Sequence, residues 1–171
     1  MRKILLPFAI LTLFPLLATA IPNGEMKFES TRSDAANQAA IDKGIEGAVE
    51  EMSFLIRPIA RNKLEKTNLA AKQITVKMEG DELTVRQDSR APVTSAPDGE
   101  PFRWTREDGA VYTVSQRGTD DTITQVYSSD EGKKTVTYKF SPDFKTMTMK
   151  VKVESPKLPA PLSYTIAYTR K

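Results

Sequence analysis

Between Ile41 and Ile59 the apolar residues fall four and three positions apart: Ile41, Ile45, Val49, Met52, Ile56 and Ile59. That spacing gathers them on one face of a helix, with Lys43, Glu46, Glu50 and Glu51 off the stripe. Ser33-Asp34 supplies an N-cap at the start. Pro58 has no amide hydrogen to give the helix and restricts Arg57 before it. The pattern therefore predicts one long helix over about 34–65, kinked at Pro58, which opens a short second segment to about Leu64. Gly44 and Gly47 each weaken such a helix by up to about 1 kcal/mol relative to alanine. They either mark close approach of another backbone or are simply tolerated.

From Gln73 the period changes to two. Ile74, Val76 and Met78 alternate with polar residues, then Leu83 and Val85 after the turn Glu79-Gly80-Asp81. After a weak stretch over 89–99 come Phe102 and Trp104, then Val111 to Val114, then Ile123, Gln125 and Tyr127. Val136, Tyr138 and Phe140 follow, then Met147, Met149, Val151 and Val153, and finally Tyr164, Ile166 and Tyr168. Turns rich in Asp and Gly separate most of these segments, so neighbours in sequence should pair antiparallel. The expectation is an α+β domain over 33–171. The N-terminal helix packs on an eight-stranded antiparallel meander over about 73–170, closed as a barrel or strongly curved. Residues 21–32 read as a linker.

The first twenty residues have a different grammar. Arg2 and Lys3 precede an uncharged run from Ile4 to Leu17, and Ala18-Thr19-Ala20 offers small residues at a cleavage site. This is the pattern of a secretory signal peptide cut after Ala20. The run is short for a spanning helix and Pro7 and Pro15 interrupt it. The expected product is periplasmic or secreted. Its loss of Arg2 and Lys3 leaves 23 basic against 22 acidic residues, a net charge of +1 instead of +3. That balance removes the case for a nucleic-acid partner, and no stable membrane insertion is expected.

Cysteine and histidine are both absent. Their absence removes Ser-His-Asp and Cys-His catalysis, the common zinc sites, lipid anchoring through Cys and disulfide staples. The acidic pairs Glu50-Glu51, Asp120-Asp121 and Asp130-Glu131 lie in turns or on the helix face, where Asp serves turn geometry. No catalytic residue, metal or cofactor is expected. The Thr135, Thr137, Lys139, Thr146, Thr148, Lys150 and Lys152 face reads as the solvated side of the sheet. The candidate ligand-binding set is aromatic and Met-rich: Trp104, Tyr127, Tyr138, Met147, Met149, Tyr164 and Tyr168, facing inward. Tyrosine suits a pocket because an apolar body carries a polar tip.

The stretch Trp104 to Lys171 resembles the lipocalin-like (calycin) barrels of small exported bacterial proteins. The resemblance rests on Asp108-Gly109, on Ser141-Pro142-Asp143 leading into Thr146-Met147-Thr148, and on Ser155-Pro156-Lys157-Leu158-Pro159 with Tyr164 to Arg170. Phe54 to Leu64, with Arg57-Pro58-Ile59-Ala60-Arg61, is similar to members of the same kind. The resemblance implies a barrel that can hold a small molecule; it assigns no site residue. Two functions stay open: a non-enzymatic protein binding a small, partly apolar ligand inside the barrel, or a structural or interaction module with a solid core and an envelope protein partner. An open sheet gripping the helix is the alternative architecture. An outer-membrane barrel would need longer strands and aromatic girdles.

Overall fold

The eight alternating segments all become strands, and two further strands join them. The computed structural model describes residues 21–171, so the leader expected over 1–20 lies outside the described residues. In chain order the elements are β1 (Gly24–Ser30), α1 (Asp34–Val49), α2 (Arg57–Thr67), β2 (Gln73–Glu79), β3 (Glu82–Gln87), β4 (Val93–Ser95), β5 (Asp98–Thr105), β6 (Val111–Thr119), β7 (Thr122–Ser129), β8 (Gly132–Phe140), β9 (Thr146–Glu154) and β10 (Leu162–Arg170). They form one ten-stranded antiparallel sheet in the order β4-β3-β2-β1-β10-β9-β8-β7-β6-β5. The sheet curls into a nearly closed barrel.

The two extra strands correct the expected count of eight. Residues 24–30 are not linker: Met26 and Phe28 point into the core while Glu25, Lys27 and Glu29 face out. β1 pairs with β2 on one side and β10 on the other, and so joins the two ends of the meander. Its signal is only two apolar residues long, too short to separate from background. β4 has three residues and pairs only with β3 among the described strands. No ladder joins β4 to β5. Side chains bridge that seam instead: Trp104 Nε1 donates to the Pro92 carbonyl at 2.8 Å, and Gln116 Nε2 to the Leu83 carbonyl at 2.7 Å.

The single kinked helix is also corrected. α1 ends at Val49, and the chain turns over residues 50–56 before α2 begins. The Arg57 guanidinium reaches back to the Glu50 and Met52 carbonyls and satisfies acceptors left open past the end of α1. Pro58 sits within the first turn of α2, where a missing amide hydrogen costs nothing. The break thus precedes the proline and splits the apolar stripe. Ile41, Ile45 and Val49 are fully buried, Met52 is half-buried, and Ile56 and Ile59 are 56% and 72% exposed.

α1 lies on the start of β10. A Cβ on Gly44 would stand 2.6 Å from the Ser163 carbonyl oxygen, whereas one on Gly47 would meet nothing within 4 Å. Gly44 is therefore a contact glycine and Gly47 a tolerated one. Thr135, Thr137, Lys139, Thr146, Thr148, Lys150 and Lys152 do share the outer face of β8 and β9, with Thr135 opposite Lys152 and Thr137 opposite Lys150.

Candidate functional site: a cavity beneath the second helix

The inward side chains divide the barrel interior. Phe28, Ile74, Phe140, Met147, Ile166 and Tyr168 belong to a continuous buried core that also takes in Ile41, Ile45 and Val49 of α1. Beside it lies a cavity of about 710 Å³. The turn before α2 and α2 itself form one side of the cavity, through Met52, Ile56, Ile59 and Leu64. Inward positions from β3 to β9 form the other, among them Val85, Trp104, Tyr112, Tyr127, Val136 and Val153. Because Ile56 and Ile59 are exposed and also line the cavity, it reaches the surface along α2.

Three aromatic rings make one wall. Trp104 and Tyr127 meet edge-on with centroids 5.6 Å apart, and Tyr112 stands 6.1 Å from Trp104 and 6.3 Å from Tyr127. Such tilted and edge-on contacts fix ring orientation while leaving apolar surface toward the hollow.

A polar thread crosses the interior. Arg90 donates to Gln87 Oε1 at 2.8 Å, Gln87 Nε2 donates to the Tyr138 hydroxyl at 2.8 Å, and that hydroxyl donates to Gln125 Oε1 at 3.2 Å. Gln125 Oε1 also accepts from the Tyr127 hydroxyl at 2.8 Å, and Gln125 Nε2 donates to Gln116 Oε1 at 2.6 Å. Both glutamines are fully buried, so these bonds supply partners that burial would otherwise remove. Burial pushes the Tyr127 and Tyr138 phenols above their ordinary range; at Tyr138 the bond from Gln87 partly opposes it.

The charges facing the cavity are unequal: six basic side chains against two acidic. At the rim, Glu131 pairs with Lys63 at 2.8 Å and Lys157 at 3.4 Å, and Glu154 pairs with Lys133 at 3.6 Å. Arg106 is engaged by Asp108 through two bonds of 2.8 and 2.5 Å, which hold that carboxyl down to about 2, helped by the Ala110 amide. Lys134 differs. Its side chain makes no ion pair or hydrogen bond with any described residue, and its ammonium is pushed down to about 8 by burial and by the charges of Arg90 and Arg106. It is half-buried and lines the hollow. Among the described residues no cluster of three or more His, Cys, Asp or Glu is gathered to hold a metal.

Of the seven residues expected to line a ligand site, the structure brings Trp104, Tyr127 and Tyr138 to the cavity wall. Met147, Met149, Tyr164 and Tyr168 are not on that wall; they sit in the packed core, where Tyr168 donates to the Ala71 carbonyl at 3.0 Å. The reason is the position of α1, whose apolar face fills the space over β10. Sequence reasoning did not place Lys134, Arg90, Gln87 or Tyr112 at a site, nor the second helical segment that opens at Pro58. Lys134 carried a usable signal: it continues the alternation of Val136, Tyr138 and Phe140 by one more inward step. Its place beside Lys133 just after a turn hid it among solvated lysines. Arg90 lies in the β3–β4 loop, and no periodicity reaches it.

No protein-family model matches the chain, and no curated protein matches it either. Solved structures do. The fatty acid transporter REP1-NXSQ matches with a TM-score of 0.50 at 16% identity, over 87% of this chain and 95% of that one. Fatty-acid-binding protein 1 of Echinococcus granulosus matches with a TM-score of 0.50 at 12% identity, over 86% of this chain and 96% of that one. A luciferase domain from the dinoflagellate Lingulodinium polyedrum matches with a TM-score of 0.50 at 15% identity, over 86% of this chain and 41% of that one. At these identities the likeness is one of fold alone: an antiparallel β-barrel of the lipocalin-like shape.

Proposed function

We propose that the protein is a non-enzymatic binding protein that holds a small, partly apolar molecule in the cavity between α2 and the barrel. The observation that carries this reading is the cavity itself. At about 710 Å³ it falls within the size range of small-molecule sites, and its mix of aromatic and aliphatic walls with a few fixed polar groups is what such sites use. A solid-core interaction module would fill this space with side chains. The fatty-acid carriers of the same fold lend support by analogy, no more. The site on this chain comprises Trp104, Tyr127 and Tyr138 together with Tyr112, Val136 and the α2 side. The reading includes export: the Arg2-Lys3 start, the uncharged run and Ala18-Thr19-Ala20 support cleavage after Ala20 and work in the periplasm or outside the cell.

Native mass spectrometry of protein purified from its own host tests the proposal. A defined adduct of small-molecule mass, lost on denaturation, is the expected result. Protein that is always empty, with no thermal shift across a panel of lipids and aromatics, contradicts it. Sequencing the N-terminus of the same material tests export, with Ile21 expected first.

A further inference from the structure

We infer that the ligand is an amphiphile with one negatively charged group, and that Lys134 with Arg90 receives that group inside the cavity. This rests on the proposed binding function and specifies its ligand class. Lys134 occupies an inward register position on β8, directly between Tyr127 on β7 and Val153 on β9. Both of those neighbours also line the cavity, so the lysine stands in an aromatic and aliphatic setting. Lys134 is half-buried, and an ammonium partly withdrawn from water without a partner is costly. The nearby carboxylates do not relieve it, because Glu131 and Glu154 are engaged by Lys63, Lys157, Lys133 and Lys152. Adjacent lysines are thus paired at the rim, while Lys134, turned inward, meets no carboxylate among the described residues.

Arg90 adds a second, oriented cation. Gln87 Oε1 and the Leu69 carbonyl, at 2.8 and 3.1 Å, hold two of its donors. Arginine has five, and the other three meet no described residue. Arg90 makes no ion pair with a described carboxylate. Two cations that repel each other across a largely apolar hollow are stabilised together by one anion between them. The aromatic wall of Trp104, Tyr112 and Tyr127 then receives the apolar body. A lysine that merely covers apolar surface and extends its tip to water would give no preference for an anion.

The test is calorimetric titration of the intact protein with dodecanoate, dodecyl phosphate and dodecanol below their aggregation limits, on the native chain, Lys134→Met and Lys134→Arg. Methionine keeps the stem's bulk and removes the charge, and a melting curve of each variant checks folding. The native protein should bind dodecanoate or dodecyl phosphate about tenfold or more tighter than dodecanol, as expected for one charge-assisted contact. Comparing the two anions decides between a carboxylate and a phosphate head. Lys134→Met should abolish the preference while keeping dodecanol binding, and Lys134→Arg should retain it. Equal affinity for anion and alcohol, or a preference untouched in Lys134→Met, overturns the inference and leaves the binding function standing. Binding of none of the three overturns both.

Discussion

Gln125 and Gln116, directly opposite on β7 and β6, are joined inside the barrel by a 2.6 Å hydrogen bond. Gln125 also accepts from two tyrosine hydroxyls, so one side chain serves three partners. Gln125→Leu leaves Gln116 Oε1 and both hydroxyls seeking new partners. It should lower stability by about 1–3 kcal/mol in urea titrations, since orphaned buried polar groups carry their full desolvation cost. Pairing it with Gln116→Leu should cost less than the two single changes added together.

Gly44 and Gly47 look alike in the sequence and should behave oppositely. Gly44→Ala drives a methyl into the Ser163 carbonyl and must lift α1 from β10, so the melting temperature should fall by several degrees. Gly47→Ala adds a methyl in open space and should stabilise by up to about 1 kcal/mol through helix propensity. Thermal melts of the two variants check this directly.

Arg57 closes the turn between the helices through the Glu50 and Met52 carbonyls. Arg57→Met should raise amide hydrogen exchange across residues 50–60 and leave exchange in β7 to β9 unchanged. The α2 side of the cavity would then be looser, without loss of the barrel.

Lys134 should make the empty protein less stable than it could be. Its folded-state value near 8 lies below the ordinary value near 10.5. Between those values the unfolded chain keeps a proton that the folded chain has released, so stability from this group rises with pH from about 8 to about 10.5. Below pH 8 the full cost of this partly desolvated charge is present. Arg106 is held charged by its bond with Asp108, Tyr127 titrates higher, and the rim carboxyls Glu131 and Glu154 are held below their ordinary values. Lys134→Met should therefore melt higher than the native chain at pH 7, with the gap narrowing toward pH 10.5. Thermal melts of both proteins across pH 7–10.5 follow that gap.

Strand alternation was legible because one face of each strand meets the core and the other meets water, as in Met147, Met149 and Val151 against Thr148 and Lys150. The turn proteins of this kind need, rich in Asp and Gly, marked the boundaries. β1 and β4 were not legible because they have too few apolar residues, and their pairing is decided by β10 and β3. The helix stripe ran through Val49 to Ile59 without a break, yet Arg57 caps the carbonyls just past α1 through its side chain, a contact that periodicity does not register. The cavity wall was half legible. Trp104, Tyr127 and Tyr138 follow from facing inward, but whether an inward residue meets core or hollow depends on where α1 lies. Lys134 and Arg90 become visible only once strands distant in sequence stand side by side.

Trp104 is the only tryptophan in the sequence, and it stands on the cavity wall. Its fluorescence therefore reports one place. Titration with a neutral alkyl alcohol carrying bromine near its tail end, a quencher needing close contact, tests the cavity most directly. Saturable quenching at one ligand per chain, reversed by an unbrominated competitor, is the predicted result. Quenching that rises without saturation, or none at all, would contradict a cavity that binds.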